Sequence, residues 1–284
     1  MDTAGGRPGA MGRRAFLKAT GLAGAGFALA VQPVSAETVR TPETGLITRD
    51  LFVERAGARI PVYEARPPGK GPFPAVIVIH EIFGQHEHIR DVTRRFAHEG
   101  FIAAAPELYF REGGVGHLSS FDDIRKVVRA VPDRQMLDDL GAVLRHLKGL
   151  AQSNGKVGVT GFCWGGGATW LLVADNPDVA AGVAWYGRLT NWGEGKLHPH
   201  NPVALAERMH APVLGLYGGQ DRGIPVADVE TMKAALTRHR KHHEFVVYPE
   251  APHAFFADYR QSYRPEAARD AWRRAVAWLK EFTA

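Results

Sequence analysis

Lys156-Val157-Gly158-Val159-Thr160-Gly161-Phe162-Cys163-Trp164-Gly165-Gly166-Gly167 reads as a short buried strand, a sharp turn and the first residues of a helix. Its centre, Gly161-Phe162-Cys163-Trp164-Gly165, has the G-x-nucleophile-x-G spacing of a strand-to-helix elbow, with cysteine in the nucleophile position. A nucleophile at the tip of such a turn sits in strained φ/ψ, and glycines two before and two after it leave room for the fold-back. The helix that follows aims its free N–H groups at the nucleophile, which favours a thiolate and a developing oxyanion. Cys163 is the only cysteine in the chain, so it has no disulfide partner within it. The same spacing also fits a small buried cysteine between packing glycines. The residues available to serve the elbow therefore decide the matter.

Working outward, residues 75–79 (Ala-Val-Ile-Val-Ile) form a continuous, non-alternating run, as expected of a central strand covered on both faces. Residues 101–105, 180–186, 212–217 and 244–248 read as further buried strands. Helical spacing covers residues 89–98, 121–130, 132–150, 226–239 and 265–282. Residues 51–55 and 59–65 suggest a hairpin around Ala56-Gly57-Ala58, and Ser153-Asn154-Gly155 a turn into the elbow strand. Strands alternate with helices without a composition break. This predicts one α/β domain over residues 51–284, with a mainly parallel sheet and helices on both faces. Residues 37–50 are polar and read as a leader into it.

In open α/β sheets the chemistry gathers at the carboxyl ends of the strands. Asp221 follows the strand at 212–217, in Gly219-Gln220-Asp221-Arg222-Gly223, and His253 follows the strand at 244–248, in Pro252-His253-Ala254-Phe255. Nucleophile, acid and base then occur in the chain order of the α/β-hydrolase triad. His253 is expected to take the thiol proton and return one to the leaving group, while Asp221 fixes the imidazole tautomer. The backbone N–H groups of Ile82 and Trp164 would flank the reacting carbonyl oxygen. Glu81 falls beside them, and Phe83 and Tyr186, just past strands, are expected to line the pocket.

Ahead of this domain, residues 1–36 look like an address. Gly12-Arg13-Arg14-Ala15-Phe16-Leu17-Lys18 resembles the twin-arginine signal of bacterial export. A mildly apolar run and the small residues Val34-Ser35-Ala36 at a cleavage site follow. Periplasmic or secreted localisation, by way of the export machinery, is the expectation. Of the formal net charge of +5, residues 1–36 contribute +3, through Arg7, Arg13, Arg14 and Lys18 against Asp2. The near-neutral remainder gives no electrostatic case for nucleic acid.

With these residues in view, the chain from about residue 51 onward resembles the dienelactone hydrolase family. The resemblance rests on His80-Glu81-Ile82-Phe83-Gly84, Gly161-Phe162-Cys163-Trp164-Gly165-Gly166, Gly219-Gln220-Asp221 and His253-Ala254-Phe255. It implies the α/β-hydrolase fold, a Cys163–Asp221–His253 triad without metal or organic cofactor, and hydrolysis of dienelactone. It also implies a role for Glu81 in holding the resting thiol. Tyr109-Phe110-Arg111 resembles the family segment whose arginine contacts a substrate carboxylate, so Tyr109 and Arg111 are expected to bind substrate. Ala254 and Ala257 stand where the bacterial enzymes carry a serine and an arginine after the histidine.

Other clusters fit structural roles. His80-Glu81 opens like a zinc H-E-x-x-H, but Gly84 occupies the second histidine's place. His86 with His88 and His198 with His200 lie in polar stretches, and Trp185 fits the core as well as the pocket. The expectation is a monomeric, cofactor-free cysteine hydrolase of activated esters or lactones, some of them anionic, acting through a thioester acyl-enzyme. A broader periplasmic carboxylesterase or thioesterase on the same triad is one alternative. A non-catalytic α/β-hydrolase-like binding protein is the other.

Overall fold

The computed structural model describes residues 39–284, so the export signal read at residues 1–36 lies outside the described residues. An eight-stranded sheet forms the centre, in the order β1-β2-β4-β3-β5-β6-β7-β8. β1 (Ile47–Arg55) and β2 (Ala58–Arg66) make an antiparallel hairpin, and β2 pairs antiparallel with β4 (Ile102–Pro106). β4, β3 (Phe73–Ile79), β5 (Ser153–Phe162), β6 (Val179–Trp185), β7 (Val213–Gly218) and β8 (His243–Tyr248) are parallel. This is the mainly parallel α/β-hydrolase sheet that the alternation of patterns predicts.

β3 and β5 lie at the middle of the sheet, and Ala75 through Ile79 are fully buried, as a strand covered on both faces must be. The helix leaving the elbow, Trp164–Asp175, is buried along nearly its whole length, because it is apolar on every side. The outer helices Glu87–His98, Asp133–Lys148 and Pro265–Thr283 keep one apolar face inward.

Two boundaries differ from expectation. β1 starts at Ile47, so the end of the polar leader is strand, and further upstream the Thr41 N–H donates to Asp91 Oδ1 at 2.5 Å. Polarity concealed the first four residues of this strand, none of which is buried. Ser153-Asn154-Gly155 is the first part of β5 and not a separate turn; the register against β3 shifts there. Trp185 belongs to the core. Its Nε1 donates to Thr160 Oγ1 at 3.0 Å and its ring lies 4.5 Å from that of Phe256.

Candidate active site

Cys163 sits between β5 and its helix at φ 55°, ψ −112°, a conformation that costs a non-glycine residue about 1–3 kcal/mol. The surroundings enforce it. The Cys163 N–H donates to Trp185 O at 3.0 Å, and the Cys163 carbonyl accepts from Gly166 and Gly167 at 3.1 and 3.2 Å. A Cβ on Gly161 would lie 2.1 Å from Gly165 O, and one on Gly165 would lie 2.5 Å from both Ile79 O and His80 O. The two glycines of the motif are therefore required by close backbone approach. That approach also sets the start of the helix against the end of β3.

Asp221 and His253 come from the ends of β7 and β8. Asp221 is buried, and its Oδ1 accepts from the N–H groups of Gly223 (2.8 Å) and Ile224 (3.1 Å). Its Oδ2 lies 2.6 Å from His253 Nδ1. With Nδ1–H donating to the carboxylate, Nε2 is left for Cys163. Burial works against a charge on His253. The charge of Cys163 and the hydrogen bond to Asp221 outweigh it and raise the imidazole pKa to about 10. The arrangement can hold an imidazolium facing a thiolate. Among the described residues no backbone acceptor is found for the N–H of Ile82 or of Trp164, the first residue of the helix.

Glu81 lies two residues past the end of β3 and is buried at 1% exposure. Burial pushes its pKa up, but His86, Arg260 and His88 prevail and lower it to about 2, so it is ionised at neutral pH. His86 lies 3.8 Å away, and its own burial pulls its pKa down to about 4, so it is neutral at pH 7. The permanent positive charge near Glu81 is therefore Arg260, and the Tyr259 hydroxyl donates to Glu81 Oε2 at 2.5 Å. His80 is structural. Its Nε2 accepts from the Leu108 N–H at 3.1 Å and its Nδ1 meets Glu81 O at 2.7 Å, which leaves no nitrogen for a metal.

Arg111, the expected carboxylate contact, is already engaged. Its guanidinium grips the fully buried Asp139 with both Nη atoms, Nη2 to Oδ1 at 3.0 Å, and lies over the Phe110 ring at 4.3 Å. A buried carboxylate in low dielectric outcompetes a transient ligand for that fork. Arg260, which the sequence reading missed, occupies the site. Successive i→i+3 bonds from Ala257, Arg260 and Tyr263 N–H fold the loop after His253 into tight turns that bring Arg260 back toward Glu81. Its guanidinium stands 5.5 Å over the Phe83 ring, and among the described residues no carboxylate lies within ion-pair distance of it. Position alone was the signal: the third turn of the period that begins at Ala254 and Ala257.

Tyr109 and Tyr186 also reach the site. Tyr109 packs on His80 (4.7 Å) and Trp164 (5.1 Å), and Tyr186 on His253 (5.2 Å). Trp192 stacks on Trp164 at 5.8 Å and completes an aromatic wall. Phe83 is buried beneath Arg260.

Residues 60–283 match the model of the dienelactone hydrolase family. A Methylorubrum extorquens protein described as "Putative carboxymethylenebutenolidase" is 51% identical over 93% of this chain and 91% of its own length. An Escherichia coli protein of the same description is 46% identical over 90% of this chain and 95% of its own. The crystal structure of a "Putative Dienelactone Hydrolase" from Klebsiella pneumoniae superposes with a TM-score of 0.79 at 46% identity, covering 84% of this chain and 99% of that one.

Proposed function

The chain belongs to the dienelactone hydrolase family and is a hydrolase of ester or lactone bonds, and on that premise we propose that it works through Cys163, His253 and Asp221. Cys163 attacks the carbonyl carbon, and the N–H groups of Ile82 and Trp164 receive the developing oxyanion. The tetrahedral species collapses to a thioester as His253 protonates the leaving oxygen. Water, deprotonated by His253, then cleaves the thioester. The observation that carries this reading is the 2.6 Å Asp221–His253 bond, which turns Nε2 toward a cysteine held at a strained elbow. Amides suit it less, since a thiolate expels an amine poorly.

A panel of lactones and aryl esters tests the reading. Turnover should disappear as iodoacetamide alkylates Cys163, and substrate should protect. Turnover that survives stoichiometric alkylation rules out a cysteine nucleophile. In the same reading, Glu81 opposes a thiolate at rest through charge repulsion, partly offset by Arg260. The Glu81→Gln enzyme should therefore be alkylated several-fold faster at pH 7. An unchanged rate leaves Glu81 as a scaffold for Tyr259 and His86.

We also propose an anionic substrate group, taken by Arg260 in place of Arg111. Support comes from a guanidinium that lies beside Cys163 and Glu81 and has no ion pair of its own among the described residues. Export is proposed on Arg13 and Arg14. Replacing both with lysine should leave the protein in the cytoplasmic fraction. Undiminished periplasmic recovery of that variant would count against a twin-arginine route.

A further inference from the structure

Tyr186 is buried beside the triad, yet the mechanism above leaves it without a role. It directly follows β6, the strand next to β5 in the sheet. Its side chain is fully buried, and among the described residues no group hydrogen-bonds its hydroxyl. Its φ is 38°, a left-handed value uncommon for any bulky residue.

That conformation is held from three sides. The Tyr186 N–H donates to Leu216 O at 2.8 Å. The carbonyl of the next residue, Gly187, accepts from the Tyr217 hydroxyl at 3.1 Å. The carbonyl of the preceding Trp185 accepts from the Cys163 N–H at 3.0 Å. Strain persists only where the surroundings over-determine it, and it concentrates at working sites.

The result is a ring set edge-on to His253, with centroids 5.2 Å apart at 66°. The charges of Glu81 and Cys163 both act on its hydroxyl. Phenylalanine would fill the same space without burying an unpaired oxygen. The Tyr109 hydroxyl is also unpaired among the described residues, but it lies on the β4 side with His80 and Trp164. Of these two tyrosines, Tyr186 is the one whose ring packs on His253, where a leaving group departs.

We infer that the Tyr186 hydroxyl donates a hydrogen bond to the leaving-group oxygen as the C–O bond breaks. The inference rests on the triad reading and deepens it. Attack forms the C–S bond and moves the carbonyl electron pair onto oxygen. Collapse restores the C=O bond and breaks the bond to the leaving oxygen. That oxygen takes the electron pair and then the His253 Nε2 proton. Tyr186 keeps its own proton throughout, since burial and the nearby negative charges hold the phenol undissociated. Its contribution grows with the charge that builds on the leaving oxygen, so poor leaving groups need it most.

The test is Tyr186→Phe across a series of esters of one acid, from p-nitrophenyl to alkyl, with Cys163→Ala run alongside. For alkyl esters kcat/KM should fall roughly 10- to 100-fold, and for the p-nitrophenyl ester less than about threefold, so that dependence on the leaving group steepens. The melting temperature should hold or rise, because an unpaired buried hydroxyl is removed. An equal loss on every ester, no loss on alkyl esters, or a variant that melts several degrees lower or fails to fold would each overturn the inference. Turnover retained by Cys163→Ala would instead overturn the triad. A dead Cys163→Ala beside an unaltered Tyr186→Phe would remove only the role of Tyr186.

Discussion

Cys163→Ala and His253→Ala should each lose at least about a thousandfold in kcat, and the double variant should lose little more, because nucleophile and base act as a unit. Asp221→Asn should lose a comparable factor by a different route. The Asp221 carboxylate accepts three hydrogen bonds, from Gly223 and Ile224 N–H through Oδ1 and from His253 Nδ1 through Oδ2. An amide in its place can turn its NH2 toward His253 and select the wrong tautomer, with Nε2 protonated and unable to accept from the thiol. Folding should survive, since all three substitutions conserve or reduce volume around a partly exposed imidazole. The measurement is kcat on an activated aryl ester, with circular dichroism to confirm structure. Near-native turnover by Asp221→Asn would require a different acid, and additive losses in the double variant would mean that Cys163 and His253 work independently.

Substitutions at Arg111 and Arg260 should separate stability from recognition. Asp139 is fully buried and gripped by Arg111 and, at 3.4 Å, by Arg55. Removing Arg111 leaves a buried carboxylate with only the longer contact. Breaking such a pair costs about 3–5 kcal/mol when nothing replaces the partner. With Arg55 remaining, Arg111→Ala should cost about 2–4 kcal/mol. For a domain of this size each kcal/mol lowers Tm by roughly 2–4 °C. Its KM for anionic and neutral esters should change alike. Arg260→Ala should show the reverse pattern. Among the described residues it makes no ion pair within 4 Å, only a longer-range interaction with buried Glu81, so Tm should fall less than for Arg111→Ala, whereas KM for anionic esters should rise roughly tenfold over that for neutral ones. Thermal melts and matched pairs of charged and neutral esters decide it. A selective KM effect at Arg111 would restore that residue to the substrate site, and equal KM effects at Arg260 would remove it.

The chain order and spacing of Cys163, Asp221 and His253, together with the unbroken apolar runs, were sufficient to determine the sheet, the elbow and the triad candidates. These are local signals: a strand buried on both faces must be apolar at every position, and a strand-to-helix turn this tight admits only glycine at Gly161 and Gly165. Which arginine serves the site is a different kind of question. Arg111 and Arg260 are chemically identical, and each lies in the segment that follows a strand of the sheet, β4 and β8 respectively. What separates them is Asp139, 28 residues beyond Arg111, buried and, among the described residues, paired otherwise only with Arg55. Equally, nothing near Tyr186 in the sequence announces its positive φ, which is held by Leu216 and Tyr217 of β7 and by Cys163 at the elbow. Competition for a charge and strain imposed from several sides depend on which distant groups the fold brings together, so only the tertiary structure decided them.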